Sequence, residues 1–145
     1  KIFSIFSKSK RSIDNIFPFL IFLDFEKIEK IFQLKGDFTS EIMKEKIKNY
    51  FNSKVDVVMS DMAVNTTGNK NLDSINTSEL CIEAMNVSKD ILKKDGKFVS
   101  KIFMGSTFNE IIKESKKIFK ENKVFKPAAS RKDSKESFII CKYLR

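Results

Sequence analysis

The sequence predicts an α/β fold, a mostly parallel sheet covered by helices and closed at one edge by an antiparallel hairpin. Three observations carry this expectation. Short β-branched or aromatic runs alternate along the chain with segments whose apolar residues recur at helical spacing. The central strand-like runs, residues 55–59 and 97–103, are apolar at most successive positions, as in strands covered on both faces. The last two runs are separated by one polar stretch, too short for a crossover between parallel strands.

Residues 1–18 mix Phe and Ile with Lys8, Lys10 and Arg11 in no clean period and carry no assignment. Residues 19–23 read as a buried strand ending at Asp24, and residues 31–34 as a second short strand closed by Gly36 and Asp37. Thr39 or Ser40 can cap a helix with Glu41 in its first turn and Ile42, Met43, Ile47 and Phe51 on its apolar side. Residues 55–59 form a strand that ends at Ser60 and Asp61, followed by a polar loop, residues 65–71, that contains Gly68. A helix is expected over residues 73–94, where Leu80, Ala84, Val87 and Ile91 make one stripe and Asp95-Gly96 stops it. Residues 97–103 are the next strand, Gly105-Ser106 turns the chain, and a helix is expected over 107–121. Phe108, Ile111, Ile112, Ile118 and Phe119 share one side of it. Val124 and Phe125 begin a short strand, a polar loop spans 128–136, and residues 137–143 form the last strand.

The 145 residues suit one domain, and a 41% hydrophobic content supports a packed core. Lys and Arg number 28 against 19 Asp and Glu, a formal charge of +9. That excess favours a polyanionic partner, nucleic acid before an anionic membrane surface; a solvated lysine-rich surface accounts for the same charge equally well. Two cysteines, Cys81 and Cys141, both in apolar patterns, and no secretory signal point to a reduced, cytoplasmic protein. The chain has no His and no Cys cluster, so histidine catalysis is excluded and no metal is expected. Its longest apolar run, residues 16–23, is far short of the roughly 20 residues of a spanning helix, and no membrane partner is expected. The chain begins with Lys and is read as incomplete at its start.

In open α/β sheets ligands bind at the carboxyl ends of the strands. Asp37 follows the second strand, Asp61 follows the third, Lys101 lies within the fourth, and Glu136 precedes the last. If the last strand is antiparallel, Asp61, Lys101 and Glu136 can converge at one sheet edge. A lysine among Phe98, Val99, Ile102 and Phe103 is costly to bury unless paired, and flanking carboxylates would pair it. A purely structural ion-pair cluster satisfies the same constraint.

The run Val57-Val58-Met59-Ser60-Asp61-Met62-Ala63-Val64-Asn65-Thr66-Thr67-Gly68 resembles the "VMSDMAPN.TG" signature of the FtsJ family of RNA 2′-O-ribose methyltransferases. Leu34-Lys35-Gly36-Asp37-Phe38 resembles the family's "LQGDF". Asp95 to Phe103 resembles its "GG.FV.K.F" strand, and Val124 to Arg131 with Ser134-Lys135-Glu136 resembles its "K.KP..SR..S.E" close. The resemblance runs from residue 19 to the C-terminus. It implies a partial FtsJ-like domain over 19–145 after an unassigned segment 1–18, with a Rossmann-like methyltransferase sheet.

By resemblance, the activity is methyl transfer from S-adenosylmethionine to a ribose 2′-OH, that of a uridine, in 23S rRNA of the large ribosomal subunit, by a cytoplasmic monomer. The family uses a Lys-Asp-Lys-Glu tetrad, and three members carry over as Asp61, Lys101 and Glu136. The first lysine would lie upstream, and neither Lys8 nor Lys10 stands in a matching context. A neutral Lys101 would take the hydroxyl proton; a charged one would stabilise the developing alkoxide. The resemblance also implies donor contacts by Asp37, Asp24 and Asp61. Arg131 matches a family position and, with Lys126, Lys132 and Lys135, is expected to meet RNA phosphates.

The chain departs from the family in two respects. Val64 replaces the usual Pro, and the family's first strand and its "DLGAAPGGW" loop find no counterpart. The four glycines are Gly36, Gly68, Gly96 and Gly105, none of them clustered. The fold is therefore expected to lack its first strand and glycine-rich loop, leaving the outer edge of the 55–59 strand open unless residues 1–6 or 19–23 fill it. A second reading follows, that of a non-catalytic, basic, RNA-binding remnant of the same fold. A third, a methyltransferase of small molecules, is disfavoured by the Asp61, Lys101 and Glu136 set.

Overall fold

The computed structural model describes residues 2–6, 38–51, 53–62, 67–128, 130, 134 and 136–145. They form β1 (Ile2–Phe6), α1 (Glu41–Tyr50), β2 (Val55–Asp61), α2 (Lys70–Ile91), β3 (Leu92–Phe103), α3 (Phe108–Ile118), β4 (Phe119–Phe125) and β5 (Glu136–Leu144). The strands make one sheet in the order β1-β2-β3-β5-β4. β1, β2 and β3 run parallel, and β5 pairs antiparallel with both β3 and β4. The expected parallel sheet with an antiparallel hairpin is thus present.

Burial divides the sheet into two faces. Phe98, Ser100 and Ile102 of β3 are buried beside their partners Cys141, Ile139 and Ser137 of β5, with Val58 and Ser60 of β2 alongside. The helices cover this face. The predicted stripe of α2, Leu80, Ala84, Val87 and Ile91, is buried in the same core, with Met43 and Ile47 of α1 and Ile111 and Ile118 of α3. Ser40 caps α1, its hydroxyl accepting from the Met43 amide at 3.3 Å. Lys44–Glu83 and Lys48–Asp90 ion pairs, at 3.5 and 2.9 Å, lie between α1 and α2. The opposite face carries Met59, Asp61, Val99, Lys101 and Phe138, all at least partly exposed.

Several boundaries differ from expectation. α2 runs from Lys70 to Ile91, not 73–94, because Asn69 supplies the cap by accepting from the Asn71 and Leu72 amides. Asp95-Gly96 does not stop the helix. β3 already starts at Leu92, and the two residues lie inside it. There the ladder is irregular: Val55 pairs with Leu92, but Val57 pairs with Lys97. The extra residues of β3 bulge, and Gly96 lies so close to β2 that a Cβ would stand 3.2 Å from the Asp56 carbonyl oxygen and 2.9 Å from that of Lys93. α3 ends at Ile118, and Phe119 opens β4 instead of continuing the helix. Its ring is fully buried and stacks on Phe98 at 5.9 Å, which places it on the sheet. β4 is accordingly longer than the Val124-Phe125 start implied.

The outer edge of β2 is not open. β1 pairs along it in parallel, from Ile2 opposite Val57 to Phe6 opposite Asp61. Of the two segments that could fill this edge, residues 1–6 and 19–23, it is residues 2–6 that pair there. The strands expected over 19–23 and 31–34 lie outside the described residues.

Candidate active site

β2 and β3 are parallel neighbours, so their carboxyl ends lie at one edge of the sheet. Asp61 is the last residue of β2 and follows Ser60, which pairs with Ser100; Lys101 follows Ser100. The two side chains therefore stand in one row on the partly exposed face. Lys101 Nζ lies 2.8 Å from Asp61 Oδ1. The lysine side chain is 14% exposed and the carboxylate 50%, so the cation is largely desolvated while its partner reaches solvent. A charge-assisted contact of this length is what makes a lysine tolerable in an apolar strand.

Glu136 starts β5 opposite Phe103, while Phe138 lies opposite Lys101. Glu136 and Lys101 are thus diagonal neighbours on one face, about 7–8 Å apart by sheet geometry. Glu136 is exposed, its amide donates to Ser134 Oγ at 3.2 Å, and among the described residues it makes no ion pair with Lys101. The structure therefore brings Asp61 and Lys101 into contact and sets Glu136 on the same rim one step away. A pair of this kind can hold a hydroxyl substrate, stabilise negative charge on its oxygen and relay a proton.

The other candidates are distributed differently. Lys126 is exposed, and its ammonium donates to the Ser134 carbonyl oxygen at 2.8 Å, tying the connection between β4 and β5. Arg131, Lys132 and Lys135, with Asp24 and Asp37, lie outside the described residues. Lys113, Lys116, Lys117, Lys120 and Lys123 are all exposed along α3 and β4, and Lys117 pairs with Glu114 at 2.6 Å.

The sequence reading missed the polar packing around the first turns of α2. Asp73, nearly buried, accepts from both the amide and the hydroxyl of Thr67 at 2.8 Å through one oxygen, Oδ1. Ser74 and Ser78, also buried, meet the hydroxyl of Thr107 in the turn after β3. The signal that could have exposed the first contact is Asn69, a cap residue that starts α2 early enough to put Asp73 inside the helix's first turn.

A family model described as FtsJ-like methyltransferase matches residues 21–144 of the chain. The chain belongs to the FtsJ-like methyltransferase family. A relative from Pelagibacter ubique (strain HTCC1062), ribosomal RNA large subunit methyltransferase E, is 67% identical over 120 residues, 83% of the chain and 59% of the relative. The protein of that name from Rickettsia akari (strain Hartford) is 39% identical over 132 residues, 91% of the chain and 58% of the relative. This FtsJ-like chain therefore spans little more than half the length of these relatives. Among solved structures, a Plasmodium falciparum protein assigned as a ribosomal RNA methyltransferase aligns with a TM-score of 0.70 at 24% identity, over 82% of this chain and 66% of that one. Human methyltransferase-like protein 13 in complex with SAH aligns with a TM-score of 0.58 at 14% identity, over 82% and 52%. At these identities the likeness is one of fold: the sheet is that of Rossmann-like methyltransferases.

Proposed function

We propose that this chain carries the acceptor half of an RNA methyltransferase site, transferring a methyl group from S-adenosylmethionine to a ribose 2′-OH of a uridine in 23S rRNA. The methyltransferase unit is taken as residues 19–145, and the working form as a cytoplasmic monomer acting on the large ribosomal subunit. One observation carries the reading: the Lys101–Asp61 ion pair at the carboxyl edge of β2 and β3, in a family whose named relatives act on ribosomal RNA.

The chemistry asks for such groups. A ribose hydroxyl is a weak nucleophile until its proton is shared, and Lys101, aligned by Asp61, would hold that oxygen and stabilise its growing charge. Glu136, diagonal to Lys101, would align the amine from the other side. The donor is a sulfonium cation with amine and hydroxyl groups, and Asp61, a half-exposed carboxylate at a strand end, suits such a cation. With Asp61, Asp24 and Asp37 are the residues proposed to hold it. S-adenosylmethionine, when bound, supplies the activated methyl group. What remains for the protein is alignment, which in a displacement of this kind contributes much of the rate. Arg131, Lys126, Lys132 and Lys135 are proposed to contact RNA phosphates, with no sequence discrimination.

The test is transfer of tritiated methyl from S-adenosylmethionine to large ribosomal subunits that lack the modification. Incorporation that falls by about 10²–10⁴ in Lys101→Ala supports the reading. Incorporation unchanged by that substitution overturns the role of Lys101. No incorporation, with RNA binding that weakens as salt rises, favours a non-catalytic RNA-binding remnant instead.

A further inference from the structure

We infer that Phe138 and Phe125 form a shelf beside Lys101 on which an unstacked base of the acceptor RNA lies. The inference deepens the reading of Asp61 and Lys101 as the reacting pair, and rests on it, by giving a place to the base that hangs from the methylated ribose.

The shelf follows from the register. Lys101 of β3 lies opposite Phe138 of β5, and Phe138 lies opposite Phe125 of β4. With Asp61 against Lys101 at the end of β2, these residues make one row across four strands. Ile139, next to Phe138, is fully buried on the helix side, and Val124, next to Phe125, packs against the same core. Side chains alternate along a strand, so both Phe rings stand on the other face, with Lys101. Neighbouring strands lie about 4.8 Å apart, which puts Phe138 one spacing from Lys101 and Phe125 two.

Packing does not account for the two rings. Phe138 is half-buried, and Phe125, on the outer strand β4, is 48% exposed. A single exposed Phe is ordinary, but two side by side next to a desolvated lysine make an apolar step at the rim of a polar site. Charge narrows the occupant. Lys123, two residues before Phe125 on the same face, and Lys126, which follows Phe125, are both exposed. Cations flanking aromatic rings match a nucleotide, whose base offers a π face and whose phosphate is an anion. The same cations, in a chain of formal charge +9, oppose a second copy of this chain. Direction agrees as well. The donor is proposed to lie on the Asp61 side, and an in-line displacement brings the acceptor oxygen from the opposite side, over β5. The base is attached to the carbon next to the one that bears the 2′-OH, so it falls over Phe138 and Phe125. Rings of this kind meet the face of a base and not its edges, so the shelf holds a base without choosing among bases.

The test compares an end-labelled oligouridylate with an oligomer of the same length whose riboses carry no base. Both have the same phosphates and 2′-hydroxyls, and fluorescence anisotropy at one fixed salt concentration gives the two affinities. The protein is expected to bind the oligouridylate about tenfold more tightly. In Phe125→Leu and Phe138→Leu, which keep apolar volume and lose the ring, the ratio is expected to fall towards one while affinity for the baseless oligomer is unchanged. Phe125→Tyr and Phe138→Tyr are expected to keep the ratio. Ring signals of 13C-labelled Phe, assigned with the Leu variants, should shift on addition of the oligouridylate and stay in place with the baseless oligomer. Equal affinity for the two oligomers, or no measurable binding of either, overturns the inference. A preference that survives in both Leu variants also overturns it, since the base then lies elsewhere. Dimerisation seen by sedimentation and abolished by Phe125→Leu, with no base preference, gives the face to a second copy and overturns it too. Binding is read without methyl transfer, so the two readings fail separately. A ring-dependent preference without transfer supports the shelf and counts against the reaction, whereas transfer without a preference overturns the shelf alone.

Discussion

Lys101 shows how a single residue can be both out of place and satisfied. Its strand neighbours Phe98, Ser100 and Ile102 point into the core, whereas Lys101 points to the partly exposed face and meets Asp61. Its conflict with the apolar strand was legible in sequence, and so was a carboxylate partner. Which carboxylate it would touch was not, because that depends on register: Asp61 shares its row, and Glu136 is one diagonal step off. The two cysteines illustrate the opposite case, polar groups held inert. Burial pushes both the Cys81 and Cys141 thiols up to about 12. The folded protein then keeps protons that the unfolded chain releases above about pH 9, so their contribution to stability is complete below that pH and is lost as pH rises towards 12. Urea unfolding at pH 8 to 10 should show stability falling with pH, with a shallower slope in the Cys81→Ala, Cys141→Ala double variant. The change in slope should be at most about 1.4 kcal/mol per pH unit for each thiol. An unaltered slope would mean the thiols titrate normally.

At the scale of elements, helices were placed well from their stripes and strand ends poorly. The α2 stripe is buried as read, yet the helix begins and ends three residues early. At its start the signal was a cap; at its end it was a close approach between strands. Asp95-Gly96 looks like a helix stop in one dimension, but Gly96 is needed because β2 passes against it. No local pattern reports a neighbouring strand 40 residues away. The same reason hid the start of β4, where Phe119 fits a helical stripe as well as it fits a strand that stacks on Phe98. Gly96→Val should cost about 1–3 kcal/mol, measured by urea denaturation, because two of the three atoms crowding the new Cβ are backbone oxygens that cannot move alone. At the far end of α3, Arg145 Nε donates to the carbonyl oxygens of Lys116 and Phe119 at 2.8 and 3.2 Å, and its amide to that of Ile118 at 3.0 Å. The carbonyls of the last turn are thereby satisfied where the chain reverses into β4.

At the scale of the whole molecule, β1 is the element that the sequence left as one of two alternatives, residues 1–6 or 19–23, for the open edge. Its Ile-Phe pairs show no clean period, and a five-residue run has no specified partner until β2 presents an unpaired edge. Five successive residues pair there in parallel, from Ile2 to Phe6. Deleting residues 1–6 should lower the melting midpoint and produce self-association that grows with concentration, seen by light scattering, as the β2 edge seeks another strand. A monodisperse deletion variant with an unchanged midpoint would show that β1 contributes nothing to the sheet.

The strand order has a consequence in time. β4 is made before β5, yet in the described sheet its neighbour is β5, which also separates it from β3. While the chain emerges from a ribosome, β4 therefore has no ladder to join until residues 136–144 follow. Until then Phe119 and Phe125 belong to a strand without a template, and Phe98 lacks the β5 residue that will lie opposite it. The sheet does not grow outward strand by strand from its parallel half. Its antiparallel half closes in one late step, and premature termination within the last ten residues forfeits both strands of the hairpin at once.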